Sequence, residues 1–214
     1  MSENTAKSAI ITHGQYTATV IPRVREVREH LLLFLQLAGT YAAILLVPSS
    51  PLKLLTLLLL WAATFERLRR ADLMLFGFGT VLFTVMNAMA LKQGIFAFAQ
   101  KDFLGMPYFE IVMWGFYLLH TKKMIKGKSD TESFPVALAG AVLFAVCFTV
   151  ITDPNLLFLC ASAVVCISLL FFHKAQDFQY LGYMLLLGTL MEFIGVWSGL
   201  WHYPGLPAGG VPAW

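Results

Sequence analysis

The segment from Asp72 to Phe109 recurs without a gap as Asp177 to Trp214, a displacement of 105 (177 minus 72), and this duplication limits the chain to folds that can hold two copies of one unit. Asp72 falls on Asp177, Gly77 on Gly182, Thr84 on Thr189, Met86 on Met191, Gly94 on Gly199, and Gly105-Met106-Pro107 on Gly210-Val211-Pro212. Phe96, Phe98 and Phe109 fall on Trp201, Tyr203 and Trp214, so aromatic character persists where identity does not. Asn87 falls on Glu192. In an apolar chain such a repeat is the usual sign of a helical bundle whose site lies where the halves meet.

The chain is apolar throughout: 58% of its 214 residues are hydrophobic and 13% charged, against roughly 25% charged in a soluble domain. An all-α, polytopic membrane protein is expected. Seven apolar stretches read as spans, at 30–47, 51–65, 72–91, 107–125, 134–152, 155–172 and 178–201. Most have the length that crosses about 30 Å of hydrocarbon, the second being short. The first begins behind a polar, arginine-bearing segment without a small-residue cleavage site, so it is expected to stay in the mature protein.

Charge sets the orientation. With the N-terminus inside, twelve of the 15 Lys and Arg residues lie on the cytoplasmic side, at Lys7, in clusters around Arg23–Arg28, Arg67–Arg70 and Lys122–Lys128, and at Lys174; only Lys53, Lys92 and Lys101 lie opposite. The expectation is N-terminus inside and C-terminus outside, in a bacterial inner membrane. The formal charge of +3 is then an insertion signal, and no nucleic-acid partner is implied.

The organisation that follows is a polar N-terminal segment (1–29), a first repeat of four spans (30–125), a basic linker (126–133) and a second repeat of three spans with an aromatic tail (134–214). A unit four crossings long puts both copies in one orientation, giving parallel repeats in a 3+1+3 layout, unless an eighth helix follows Trp214. Both glycine-aromatic loops, at 94–98 and 199–203, then share the outer face, a depth that Tyr and Trp also favour as an aromatic belt.

Charges inside a bilayer usually face an interior or a cavity. Glu192, about 15 residues into the last span, is the first candidate for chemistry, since a carboxylic acid kept from water can act as a proton donor; the alternative is a glutamate that binds helices together. Asn87 is its repeat partner. Glu110 could face the same cavity or cap the first turn of span four. Lys92 could pair with either acid, and Asp72 and Asp177 read as N-caps. Glu66 and Arg70 read as a local ion pair. Cys147, Cys160 and Cys166 read as buried small hydrophobes. The five histidines show no ligand spacing, and neither a metal nor another cofactor is expected.

The string Glu192-Phe193-Ile194-Gly195, Trp197-Ser198-Gly199-Leu200-Trp201-His202-Tyr203 and Gly210-Val211-Pro212 resembles the pattern of the integral-membrane carotenoid hydratase family. Gly105-Met106-Pro107-Tyr108-Phe109-Glu110 is similar to the signature of the repeated membrane-type lycopene cyclases, with Ile111 where a second acid would stand. The resemblance implies an isoprenoid or polyene substrate dissolved in the bilayer. It also implies acid-initiated cyclisation or hydration, with Glu192 as the acid and Trp197, Trp201, Tyr203, Phe96 and Trp114 offering ring faces to a carbocation. Two other readings stay open: a carrier of 3+1+3 architecture, and a noncatalytic subunit whose aromatic loops dock a partner or a further copy.

Overall fold

In the computed structural model, which describes residues 26–65, 68–126, 134–206 and 210–211, each of the seven apolar stretches forms a helix. These are α1 (Glu26–Leu46), α2 (Ser50–Thr64), α3 (Arg70–Lys92), α4 (Tyr108–Met124), α5 (Phe134–Val150), α6 (Pro154–Phe171) and α7 (Ala175–Trp197). Strands β1 (Ala97–Phe98) and β2 (Trp201–His202) complete the described elements. The polar segment 1–25, Glu66 and Arg67, linker residues 127–133, Pro212 and Trp214 lie outside the described residues, and with them the Glu66–Arg70 pair. Helices α1, α3 and α7 are long and apolar enough to cross a membrane, whereas α2, α5 and α6 are shorter apolar helices. Their outward faces carry Leu46, Met74, Leu170 and Trp197 largely uncovered. Such extended apolar surface suits lipid better than water.

Helices α3 and α7 are each 23 residues long and begin and end at repeat-equivalent positions. Asp72 and Asp177 are not the N-caps expected of them. Each stands at the third helical position and reaches back to accept a backbone N–H, from Arg69 at 2.9 Å and from Lys174 at 2.9 Å. An acid there meets the same demand of the first turn, because unpaired N–H groups and the positive end of the helix dipole both lie within its reach. Asp72 also binds Lys122 at 2.8 Å and Lys123 at 3.6 Å, tying the start of α3 to the end of α4.

Their C-termini close alike. Ile95 N–H donates to the Ala90 carbonyl at 3.0 Å and Gly94 N–H to Leu91 at 3.0 Å; Leu200 donates to Gly195 at 2.8 Å and Gly199 to Val196 at 3.1 Å. This double closure needs a left-handed residue just past the helix, supplied by Gly94 (φ 73°) and Gly199 (φ 72°). Because Gly199 turns the chain, α7 stops at Trp197 rather than at Trp201. The two loops then meet: β1 and β2 pair antiparallel, with Ala97 opposite His202 and Phe98 opposite Trp201. Ala97 and His202 are themselves repeat equivalents, so the ribbon straddles a local two-fold. Ala99 N–H extends it to the Leu200 carbonyl at 2.8 Å. The equivalent donor in the other copy would be Pro204, which has no N–H.

Helix α4 lies at the centre, packed against α2, α3 and α7, and nine of its 17 residues are buried, too many for one face. Its approach to α3 depends on missing side chains. A Cβ on Gly115 would lie 2.3 Å from Thr80 Oγ1 and 2.8 Å from the Phe76 carbonyl oxygen, and one on Gly79 would lie 2.3 Å from Leu118. Since the Phe76 contact is backbone, the helices must separate to admit a side chain. Gly115→Val is therefore expected to cost roughly 1–3 kcal/mol, read as a lowered unfolding temperature in detergent. Gly182→Ala, where nothing lies within 4 Å of the new atom, should leave it unchanged. Equal melting of the two variants would contradict this account of α3–α4 packing.

Candidate functional site: a buried carboxyl cluster

Glu110 stands in the first turn of α4, where acids usually cap, but the residue before the helix is Pro107, which offers no N–H for a carboxylate to reach back to. The free N–H of Tyr108 is taken instead by Ser50 Oγ at 2.8 Å and Asp102 Oδ2 at 3.2 Å. Glu110 turns inward. Its Oε1 accepts from Asn87 Nδ2 at 3.0 Å and from Trp114 Nε1 at 3.0 Å. The residue is 5% exposed, and Oε2 is buried with no hydrogen-bond partner among the described residues. A buried polar atom left unpaired costs about 1–3 kcal/mol, a cost rarely tolerated without a use for the atom.

Glu192, half-buried on α7, repeats the arrangement with different donors: its Oε2 accepts from Trp201 Nε1 at 3.1 Å and from Tyr203 Oη at 2.8 Å. The benzo ring of Trp201 sits against Gly195, where a Cβ would lie 1.9 Å from it. In the first copy the equivalent rings are Phe96 and Phe98, which have no polar hydrogen to give. The residue at Glu192's place is accordingly an amide, Asn87, which donates to Glu110. Burial and the neighbouring Glu192 both push the Tyr203 phenol up, so that it remains a donor. The rings around the two carboxyl groups, Trp114, Trp201, Tyr203 and Phe96, belong to one packed apolar cluster. Trp114 stacks on Phe83 at 4.6 Å, Tyr203 lies 6.0 Å from Phe96, and Trp201 lies 5.7 Å from Phe98.

Glu192, Glu110, Asn87, Trp114, Trp201, Tyr203 and Phe96 thus come together, whereas Trp197 and Lys92 do not join them. Trp197 is 90% exposed. Lys92 is exposed too, and both carboxyl groups take their hydrogen bonds from other donors. One cause covers both corrections. Lys92 and Trp197 are repeat equivalents, each five residues beyond Asn87 or Glu192, and five residues turn a helix by about 140°.

A second polar group, absent from the sequence reading, lies deeper along α4. His120 is fully buried; Nδ1 donates to Gln36 Oε1 at 3.0 Å and Nε2 accepts from Tyr183 Oη at 2.7 Å. The tautomer follows from Gln36, whose amide nitrogen is committed to Thr64 Oγ1, leaving its oxygen to accept. Thr40 Oγ1 donates to the Gln36 carbonyl at 2.8 Å and accepts from Trp61 Nε1 at 3.1 Å. A signal was available: Glu110, Trp114, Tyr117 and Thr121 recur at helical spacing along one face of α4, and Gln36 and Thr40 do so on α1. Among the described residues no cluster of His, Cys, Asp or Glu could hold a metal ion, and the three cysteines are free thiols in α5 and α6.

No protein-family model matches the chain, nor does any curated protein or solved structure. Fold and cluster together define an all-helical protein, with apolar helices suited to a membrane, that holds one buried and one half-buried carboxyl group among aromatic rings.

Proposed function

We propose that this chain is an integral-membrane enzyme that transfers protons to and from an isoprenoid or polyene lipid, using Glu110 and Glu192. The membrane arrangement belongs to the same reading: seven spans in two parallel repeats, 3+1+3, in a bacterial inner membrane with the N-terminus inside and the C-terminus outside. Supporting it are the matched ends of α3 and α7 and the ribbon between their loops. The observation that carries the function is the carboxyl of Glu110. One oxygen is held by two donors while the other is buried and, among the described residues, unpaired, so a proton there meets no competing acceptor among them and is aimed by the first oxygen's bonds.

Glu110 is thereby the donor, in place of Glu192. The proton on Oε2 adds to one carbon of an alkene, whose π pair forms the new C–H bond and leaves a carbocation at the neighbouring carbon. Trp114, Phe96 and Tyr203 offer ring faces to that cation. Attack by a second double bond closes a ring, and Glu192 takes the proton then lost from an adjacent carbon. One proton enters and one leaves, so the substrate is isomerised without redox change and no cofactor is needed. If water meets the cation instead, the product is a tertiary alcohol.

The test is to incubate membranes containing the protein with candidate polyene and prenyl lipids in D2O, and to measure deuterium in the product by mass spectrometry. A single solvent-derived deuterium bound to carbon is expected. A carrier or a noncatalytic subunit forms no such bond, and lipids recovered without deuterium across the substrate panel would remove the enzyme reading in favour of one of those two.

A further inference from the structure

We propose that the substrate's isoprenoid chain lies against the flank of α7 formed by Leu181, Leu185 and Gly188, and comes to Glu192 from the lipid side. This rests on the reading of the site as one that acts on a bilayer-dissolved lipid. Leu181, Leu185, Gly188 and Glu192 are spaced by four, three and four residues, which puts them on one stripe of a helix long and apolar enough to cross a membrane. Their repeat equivalents on α3 are Phe76, Thr80, Phe83 and Asn87. In the first copy α4 covers that stripe. Phe76 and Thr80 close on Gly115, the Phe83 ring stacks on Trp114 at 4.6 Å, and Asn87 donates to Glu110 at 3.0 Å.

In the second copy the same stripe is open among the described residues. Helix α4 meets α7 on the neighbouring face instead, where Tyr117 donates to Met191 and Thr121 to Met184. Leu185 is 60% exposed, and nothing lies within 4 Å of a Cβ built on Gly188. Where the first copy sets a ring beside its amide, the second therefore leaves a notch one helical turn from its acid. A helix seated as α4 is on α3 does not suit this flank, because Leu185 stands where Thr80 leaves room for Gly115. A thin apolar chain does suit it, since an isoprene unit is flat and no larger than the phenyl ring that Gly188 lacks. The carboxyl of Glu192 is also ready to receive one. Trp201 and Tyr203 both bind Oε2, and among the described residues no donor binds Oε1.

Photo-cross-linking of the full chain in proteoliposomes tests this independently of turnover. The probe is a linear prenol carrying a diazirine near its apolar end, with the points of attachment read by peptide mass spectrometry. Attachment is expected to centre on the stripe from Leu181 to Glu192. Gly188→Phe gives α7 the ring that Phe83 gives α3, and should cut both attachment there and solvent-derived deuterium in the lipid product by roughly ten-fold or more. Its melting temperature should be no lower than wild type, because the ring enters open space and glycine is the poorer helix former. Leu186→Phe, at an exposed position on another face of α7, should alter neither readout. Gly188→Leu stands in should the phenylalanine variant fail to fold. Wild-type attachment or wild-type deuterium in a folded Gly188 variant overturns the seat while leaving the proton chemistry intact. Attachment spread evenly over the outward helix faces, or a cross-link between two copies through this stripe in place of lipid, overturns it too. Attachment on the stripe with no deuterium in any product keeps the seat and removes the enzyme reading instead.

Discussion

Glu110→Gln is expected to reduce solvent-derived deuterium in the lipid product by roughly 10²–10⁴-fold, with protein yield and melting temperature close to wild type. Glutamine has nearly the same shape, and its carbonyl oxygen can still accept from Asn87 and Trp114, which hold Oε1 at 3.0 Å each. What is lost is the acidic hydrogen on the atom that has no hydrogen-bond partner among the described residues. Glu110→Asp keeps the acid but withdraws it by one methylene, and should fall between the two because a donor must lie within hydrogen-bond reach of the carbon it protonates. Rates per unit of folded protein, with unfolding followed alongside, separate this from a stability effect. Full activity in the glutamine variant would exclude Glu110 as the donor.

Gly195→Ala should do nearly as much damage with a single methyl group. The new Cβ would sit 1.9 Å from the Trp201 ring, so the indole has to leave. Its bond to Glu192, its contact with Phe98 and the pairing of β1 with β2 go with it. A loss of roughly 1–3 kcal/mol is expected from the overpacking alone, measured by thermal or chemical unfolding. The first copy contains its own remedy. Gly195 and Trp201 correspond to Ala90 and Phe96, so alanine is paired there with the smaller ring. Adding Trp201→Phe to Gly195→Ala should restore much of the stability, a coupling between touching residues that the single variants do not reveal. Activity should not return with it, since phenylalanine has no N–H to hold the Glu192 carboxyl. Additive single and double variants would show that the two positions do not share space.

These outcomes also mark how far the sequence could be read. The helices were legible because an apolar stretch of given length has few alternatives, and the loops because Gly94 and Gly199 recur with aromatic residues behind them. For Glu110 the sequence leaves the choice between cavity and cap open; the structure decides it, since a carboxylate cannot reach back to Pro107 when that residue has no N–H. Lys92 and Trp197 were misplaced because nearness along the chain stood in for nearness in space, and a helix rotates out of register within five residues. His120 escaped for a different reason. Its partners Gln36 and Tyr183 come from α1 and α7, 84 and 63 positions away, and helical spacing marks polar faces on α1 and α4 without telling which of their residues meet.

The ribbon that sets Ala97 against its own counterpart His202 is the contact two separate, identical polypeptides would make about an axis of symmetry. Joined in one gene product, the halves are released from having to match. A tryptophan and a tyrosine can stand beside an acid in one loop while the other carries plain phenylalanines, so a symmetric backbone pairing holds two unlike sets of side chains.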